Sequence, residues 1–147
     1  MKQFFQYSLA LLFAVISFSC LSGKSLQSKV QVLEKKYTIW HSGMGRTRGI
    51  DFEIQYELDK QYPLNEAFLL IGSHDLPLKI VERDQKKWLI GDYNQLRPEG
   101  HEVDFAENEV FNLAPFSDSK LRLYISDKQV EIPLGSFTRL EPKNLIP

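Results

Sequence analysis

The segment between Trp40 and Gly49 holds the residues best suited to bind a ligand. It contains three of the chain's eight glycines, together with His41, Arg46 and Arg48. Glycines allow backbone N–H groups to turn toward an anion, and two arginines are able to clamp a carboxylate or phosphate through paired hydrogen bonds. The segment is typical of a glycine-rich connection between strands with solvated arginines. The alternative is that residues 41–49 bind a small anionic ligand or a glycan through His41, Arg46 and Arg48.

The other reactive residue types do not form a catalytic or metal-binding pattern. No two of His41, His74 and His101 are spaced to share one face of an element, and Cys20 is the only thiol. Ser73 precedes His74, but the members of a catalytic triad converge from separate segments. We expect no cofactor, no metal site and no enzymatic activity. The remaining alternative is a hydrolase whose carboxylates converge only in the folded chain.

Two further sets of residues admit both a structural and a functional interpretation. Trp40 and Trp88 lie in β-rich runs, where we expect them to pack in or against the core. Exposure of either indole beside the glycine-rich segment favours glycan binding instead. Acidic residues fall at alternating positions of one segment, which is typical of a solvated strand face that discourages aggregation, with a cation site as the alternative. These residues are Asp51, Glu53, Glu57 and Asp59.

The overall composition limits the fold class and the choice of partner. The chain has 147 residues, 43% of them hydrophobic and 25% charged, which is typical of one globular domain. Its 18 Lys and Arg residues are balanced by 19 Asp and Glu residues. Nucleic-acid-binding domains usually carry a basic excess, so we expect no nucleic-acid partner. A single cysteine excludes an internal disulfide framework.

The N-terminal segment predicts an export signal. Lys2 precedes an apolar run at residues 8–18, which is 11 residues long, whereas a membrane-spanning helix needs about 20. Cys20 follows Ser19, and here the segment resembles a bacterial lipoprotein signal, in which the cysteine becomes the first mature residue and carries the lipid. This resemblance implies a signal peptide at 1–19 and lipid attachment at Cys20. The alternatives are cleavage to a secreted soluble protein, or a buried or reactive cysteine.

The hydrophobic pattern in the body of the chain predicts β-strands. After a polar tether at 20–29, residues 50–58 alternate between apolar and polar side chains without a break, which predicts a strand with one buried face. Two hairpins are predicted, one turning at 82–85 and the other at 126–129. One helical turn is expected at 92–97.

About seven to nine short strands at this spacing predict an all-β domain over residues 30–147. The expected architecture is an antiparallel β-sandwich, with a small β-barrel as the alternative.

The pattern as a whole resembles the small lipoproteins of Bacteroidota whose function is uncharacterised. The residues that carry this resemblance are the signal ending at Cys20, the segment 37–50 and the terminal hairpin 121–132. It implies an immunoglobulin-like β-sandwich anchored by lipid at the outer membrane. Because no acidic residues follow Cys20 directly, we expect the protein to face the periplasm. We therefore predict a non-enzymatic binding or accessory module that contacts the membrane through its lipid and that takes an envelope protein as partner.

Overall fold

A computed structural model describes residues 22–42, 47–96 and 109–141. The predicted signal peptide at 1–19, Cys20, Arg46 and His101 lie outside the described residues. None of the helices within the described ranges is both long enough and apolar enough to cross a membrane.

The described residues form eight strands and two short helices. Eight strands lie within the expected seven to nine, which confirms the prediction of an all-β fold. The strands are β1 (Val30–His41), β2 (Thr47–Leu58), β3 (Leu64–Ile71), β4 (His74–Arg83), β5 (Lys86–Leu96), β6 (Lys120–Ile125), β7 (Lys128–Pro133) and β8 (Thr138–Leu140). The helices are α1 (Ser22–Gln27) and α2 (Glu109–Asn112).

The eight strands belong to one continuous, curled sheet in the order β7-β6-β3-β4-β5-β2-β1-β8. Strand β4 is where the sheet folds over. Residues 74–78 of this strand pair with β3, whereas residues 79–83 pair with β5. The sheet thus curls into two layers, β7-β6-β3 and β5-β2-β1-β8, which are connected by hydrogen bonds through the shared strand β4. All neighbouring strands are antiparallel except β1 and β8, which are parallel.

The core lies between the two layers and is built by alternation. On β2, Ile50, Phe52 and Ile54 are fully buried, as the sequence pattern predicts. Fully buried residues of β6, among them Leu121 and Leu123, belong to the same hydrophobic cluster. Burying each side chain of this size stabilises the fold by roughly 1.5–3 kcal/mol. Because alternate residues point to opposite faces of a strand, the intervening residues of β2 lie on the outer face of the sheet.

Aromatic rings fill the centre of the core. The ring of Phe52 meets that of Phe116 at a centroid distance of 5.1 Å and that of Phe137 at 5.8 Å, in edge-to-face geometry. Tyr37 of β1 meets Phe116 at 5.0 Å. Edge-to-face pairs are favourable because the positive edge of one ring meets the negative face of the other. The loop between α2 and β6 is thereby held against β1 and β2.

Both predicted hairpins are confirmed. Strands β4 and β5 turn at Asp84 and Gln85, whose φ angles are 52° and 61°. Strands β6 and β7 turn at Ser126 and Asp127, with φ angles of 50° and 63°. Two consecutive positive φ angles match the type I′ turn, whose twist suits the right-handed twist of the flanking strands.

The helical turn expected at 92–97 is wrong, because β5 continues through Leu96. Tyr93 pairs with Ile50, and Gln95 pairs with Arg48. A complete backbone ladder with β2 outweighs the weak local helical preference of this segment.

The segment predicted as a tether contains helix α1. Its Leu26 is buried and belongs to the core cluster, and the helix contacts β7. Lys35 of β1 donates a hydrogen bond from Nζ to the carbonyl oxygen of Leu134, just after β7. These contacts bring the start of β1 close to the end of β7.

Candidate functional site

His41 and Arg48 lie opposite each other where β1 and β2 approach their connection. His41 is exposed and Arg48 is half-buried. The structure thus brings together two of the three residues predicted to bind a ligand, while Arg46 lies outside the described residues. Arg48 Nε donates a hydrogen bond to Gln95 Oε1 at 2.7 Å, and the guanidinium carbon lies 4.0 Å from the centre of the Phe111 ring.

The contacts of Arg48 give it a packing role. The Phe111 ring on which it stacks lies 6.1 Å from the Tyr93 ring, and Tyr93 lies 5.6 Å from the His74 ring. These four side chains together connect α2 to the ends of β2, β4 and β5. A guanidinium stacked on an aromatic face is stabilised by the ring quadrupole. Anion binding by His41, Arg46 and Arg48 stays a prediction.

Ser73, His74 and Glu109 meet at the surface but not in the geometry of a catalytic triad. Ser73 Oγ donates a hydrogen bond to Glu109 Oε2 at 3.2 Å and lies 3.5 Å from His74 Nδ1. In a triad the histidine lies between the hydroxyl and the carboxylate, so that it accepts the proton while the acid orients it. Here the carboxylate binds the hydroxyl directly. The arrangement does not activate Ser73 as a nucleophile.

An open groove of about 760 Å³ lies on the outer face of β1, β2, β4 and β5, and we call it the Trp40 groove. Trp40 lies at one end and Arg83 at the other. Asp51, Asp92 and Leu140 line it between them. Leu140 belongs to β8, which forms one wall beside β1.

Trp40 lies flat on the sheet because its neighbour is a glycine. It pairs with Gly49 of β2, and a Cβ added to Gly49 would lie 2.4 Å from Cζ2 of the indole. The ring therefore occupies the space of the missing side chain. Trp40 Nε1 donates a hydrogen bond to Asp51 Oδ1 at 3.0 Å, which fixes the ring's direction across β2. The indole covers Gly49 and lines the groove.

Two carboxylates lie side by side next to this indole. Asp51 of β2 is directly opposite Asp92 of β5. Like charges in such cross-strand positions are destabilising, by up to about 1 kcal/mol. Asp92 Oδ2 accepts a hydrogen bond from Asn94 Nδ2 at 2.8 Å. Within the described ranges, neither carboxylate lies within salt-bridge distance of a cation, and both are exposed.

At its far end the groove carries a charge pair. Arg83 lies 3.3 Å from Glu53 Oε1, and both side chains remain accessible to solvent. The groove thus changes along its length from an indole with two carboxylates to the Arg83–Glu53 pair, beside which Lys79 also lines it. No group of three or more His, Cys, Asp or Glu residues in the described part of the chain is arranged to hold a metal ion.

Sequence reasoning did not find the Trp40 groove. Its residues come from four strands, and only the register of those strands brings Trp40, Asp51 and Asp92 together. The available signals were a tryptophan in a predicted strand next to a glycine-rich turn, and the acidic row on β2. Each signal alone is typical of ordinary packing or of a solvated surface.

A search of protein-family models, of curated proteins and of solved structures finds no match to this chain. Its function therefore rests on the chemistry of its own residues.

Proposed function

We propose that this protein is a non-enzymatic binding module of the cell envelope that binds a glycan through the Trp40 groove. The observation that carries the proposal is the indole of Trp40, which lies on Gly49 and lines the groove. A sugar ring presents a face of C–H groups, which packs on an indole, and a rim of hydroxyls, which bind planar polar side chains. Asp51, Asp92 and Asn94 supply carboxylate and amide groups beside the ring.

The charge beside Trp40 favours an uncharged sugar over an anion. Asp51 and Asp92 add two negative charges next to the indole, and Glu53 at the far end is already paired with Arg83. A phosphate or carboxylate on this surface meets repulsion from both aspartates. Sugar hydroxyls, in contrast, donate hydrogen bonds to carboxylate oxygens. The proposal therefore places the ligand in the groove instead of at residues 41–49.

The placement of the two aspartates favours binding over hydrolysis. Glycosidases hold their two carboxylates on either side of the scissile bond, one as acid and the other as base or nucleophile. Asp51 and Asp92 lie next to each other on one open sheet face, so both approach a ligand from the same side. When the protein is incubated with a polysaccharide, we expect it to bind the polysaccharide without producing new reducing ends. If the wild type produces reducing ends and Asp92→Asn does not, the non-enzymatic proposal is contradicted.

Affinity electrophoresis tests the groove. The full chain in detergent is run through native gels that contain xylan, mannan, laminarin or hydroxyethylcellulose. We expect at least one polysaccharide to retard the wild type and Trp40→Ala to run as in an empty gel. Tyr124→Ala is the matched control, because Tyr124 is a half-buried aromatic residue on the opposite outer face. Equal retardation of wild type and Trp40→Ala, or no retardation in any gel, contradicts the proposal.

We also propose that Cys20 carries a lipid that holds the module at the outer membrane, facing the periplasm. The support is the sequence of the N-terminal segment, since several acyl chains on one cysteine make release from a bilayer negligible. Intact mass of the membrane-extracted protein is expected to show an acylated chain beginning at Cys20. Cys20→Ser is expected to leave the membrane fraction. A wild type recovered unacylated from the medium supports the secreted alternative instead.

A further inference from the structure

The second tryptophan of the chain lies on the same outer face as the Trp40 groove. Trp88 of β5 pairs with Gln55 of β2, whereas Trp40 lies in the row of Gly49. Both Gln55 and Gly49 alternate with the buried residues of β2, so both rows face outward. The two rows are six residues apart along β2, which corresponds to about 20 Å. A single sugar ring is too small to contact both indoles.

The surface between the two tryptophans carries polar side chains around Ile90 of β5. Asp51 and Glu53 point outward along β2, and Arg83 reaches Glu53 from β4. Lys36 Nζ lies over the ring of Trp88, 6.0 Å from its centre, and 2.7 Å from Glu34 Oε1. A sugar that lies on Trp88 has to displace this ammonium group, which is then able to donate a hydrogen bond to one of its hydroxyls. The face thus offers donors and acceptors along the whole distance between its two apolar platforms.

We infer that the ligand is an internal stretch of a polysaccharide chain, laid across the outer face from Trp40 to Trp88. This inference rests on the proposed function and specifies its ligand class. A chain already bound at Trp40 meets Trp88 as an intramolecular partner, so the second contact costs little additional translational freedom. Affinity is therefore expected to rise with oligosaccharide length until both indoles are covered, and then to level off.

Calorimetry with oligosaccharides of graded length tests this inference. They are prepared from the polysaccharide that retards the wild type, and they are titrated into wild type, Trp40→Ala, Trp88→Ala and Tyr124→Ala. For the wild type we expect a rise in affinity on the order of tenfold or more once the oligosaccharide spans both indoles. Trp88→Ala is expected to bind short oligosaccharides as the wild type does but to show no such rise. Trp40→Ala is expected to bind neither class.

Two controls keep the result interpretable. Trp88→Phe retains an aromatic platform. If Trp88→Ala loses the length dependence because the contact with the indole is missing, and not because it misfolds, Trp88→Phe is expected to keep part of that dependence. Reduction of the sugar's terminal aldehyde is expected to leave affinity unchanged, because an internal stretch needs no chain end. Unchanged length dependence in Trp88→Ala, or binding that needs an intact chain end, overturns the inference while leaving the proposed function standing. Binding that is independent of Trp40 overturns the proposed function itself.

Discussion

On the outer face of β3, β6 and β7, Arg122 lies between two carboxylates, 2.8 Å from Asp75 Oδ2 and 3.0 Å from Glu131 Oε1. On the outer face of β1, β2 and β5, Asp51 and Asp92 lie next to each other and bind the neutral donors of Trp40 and Asn94. The first face places a cation between its two carboxylates. The second places like charges together beside an indole.

The difference distinguishes a surface whose charges are paired from the surface that we propose binds a ligand. The hydrogen bond with Glu131, followed by that with Asp75, raises the pKa of Arg122, so its charge is held by the network. A carboxylate has about four acceptor positions, and each aspartate of the Trp40 groove uses few of them within the described residues. Unused acceptors beside an apolar ring are the arrangement that hydroxyl groups of a sugar satisfy.

The largest expected effect concerns the core that both faces share. Phe52 is fully buried on the inner side of β2, between the outward-facing Asp51 and Glu53. Phe52→Ala is expected to lower the free energy of unfolding in urea by about 3–5 kcal/mol, because the cavity and the lost transfer energy add. Phe68→Ala, at a half-buried position on the Arg122 face, is the control with a smaller expected loss.

The same experiment tests whether the two faces belong to one folding unit. Because β4 pairs with both layers, tryptophan fluorescence and hydrogen exchange of β6 are expected to report one transition. Two separated transitions in Phe52→Ala contradict the description of a single shared core.

Gly49→Ala tests the comparison by disturbing the position of the Trp40 ring. The added methyl group collides with the Trp40 ring and with Asn94 Oδ1, which lies 2.6 Å from the Cβ position. We expect the free energy of unfolding to fall by about 1–3 kcal/mol, since the indole has to lift from the sheet. For the same reason we expect the variant to lose its retardation by polysaccharide. Fluorescence measured in a Trp88→Phe background reports Trp40 alone. An unchanged emission spectrum together with unchanged retardation contradicts the proposed ring position.

A smaller effect is expected from removing one cation on each face. Arg122→Ala leaves Asp75 and Glu131 without their shared partner, whereas Arg83→Ala frees only Glu53. The side chain of Arg122 is also less exposed than that of Arg83, at 26% against 54%. Arg122→Ala is therefore expected to lower the calorimetric melting temperature more than Arg83→Ala does. The reverse order contradicts the assignment of the Arg122 face as the structural one.

The smallest effect appears only in alkali. Burial, with a contribution from the charge of Glu82, raises the pKa of Tyr56 above its ordinary value of 10.0. The unfolded chain then loses this proton at a lower pH than the folded chain. The associated stability is complete below pH 10.0 and is lost as the pH rises toward the folded-state pKa. Tyr56→Phe is expected to show a shallower alkaline decline in unfolding free energy, and an identical decline contradicts this.

The sequence predicted those parts of the fold that local patterns determine. Alternation over residues 50–58 predicted β2 and its buried face, and the polar turns at 82–85 and 126–129 predicted two hairpins. The parallel pairing of β8 with β1 carries no local signal, because it depends on the path of the chain after β7. The Trp40 groove depends on two registers, that of β1 with β2 and that of β2 with β5. The spacing of residues along the sequence does not determine how these strands pair.

The facing aspartates have a consequence for engineering this protein. Replacing either one with asparagine relieves their mutual repulsion, so variants selected only for heat resistance are expected to accumulate changes at Asp51 or Asp92 early. Such variants are expected to be more stable to heat but to have fewer hydrogen-bond acceptors beside the indole. Thermal selection would thus map the proposed sugar-binding surface through the residues that are replaced first.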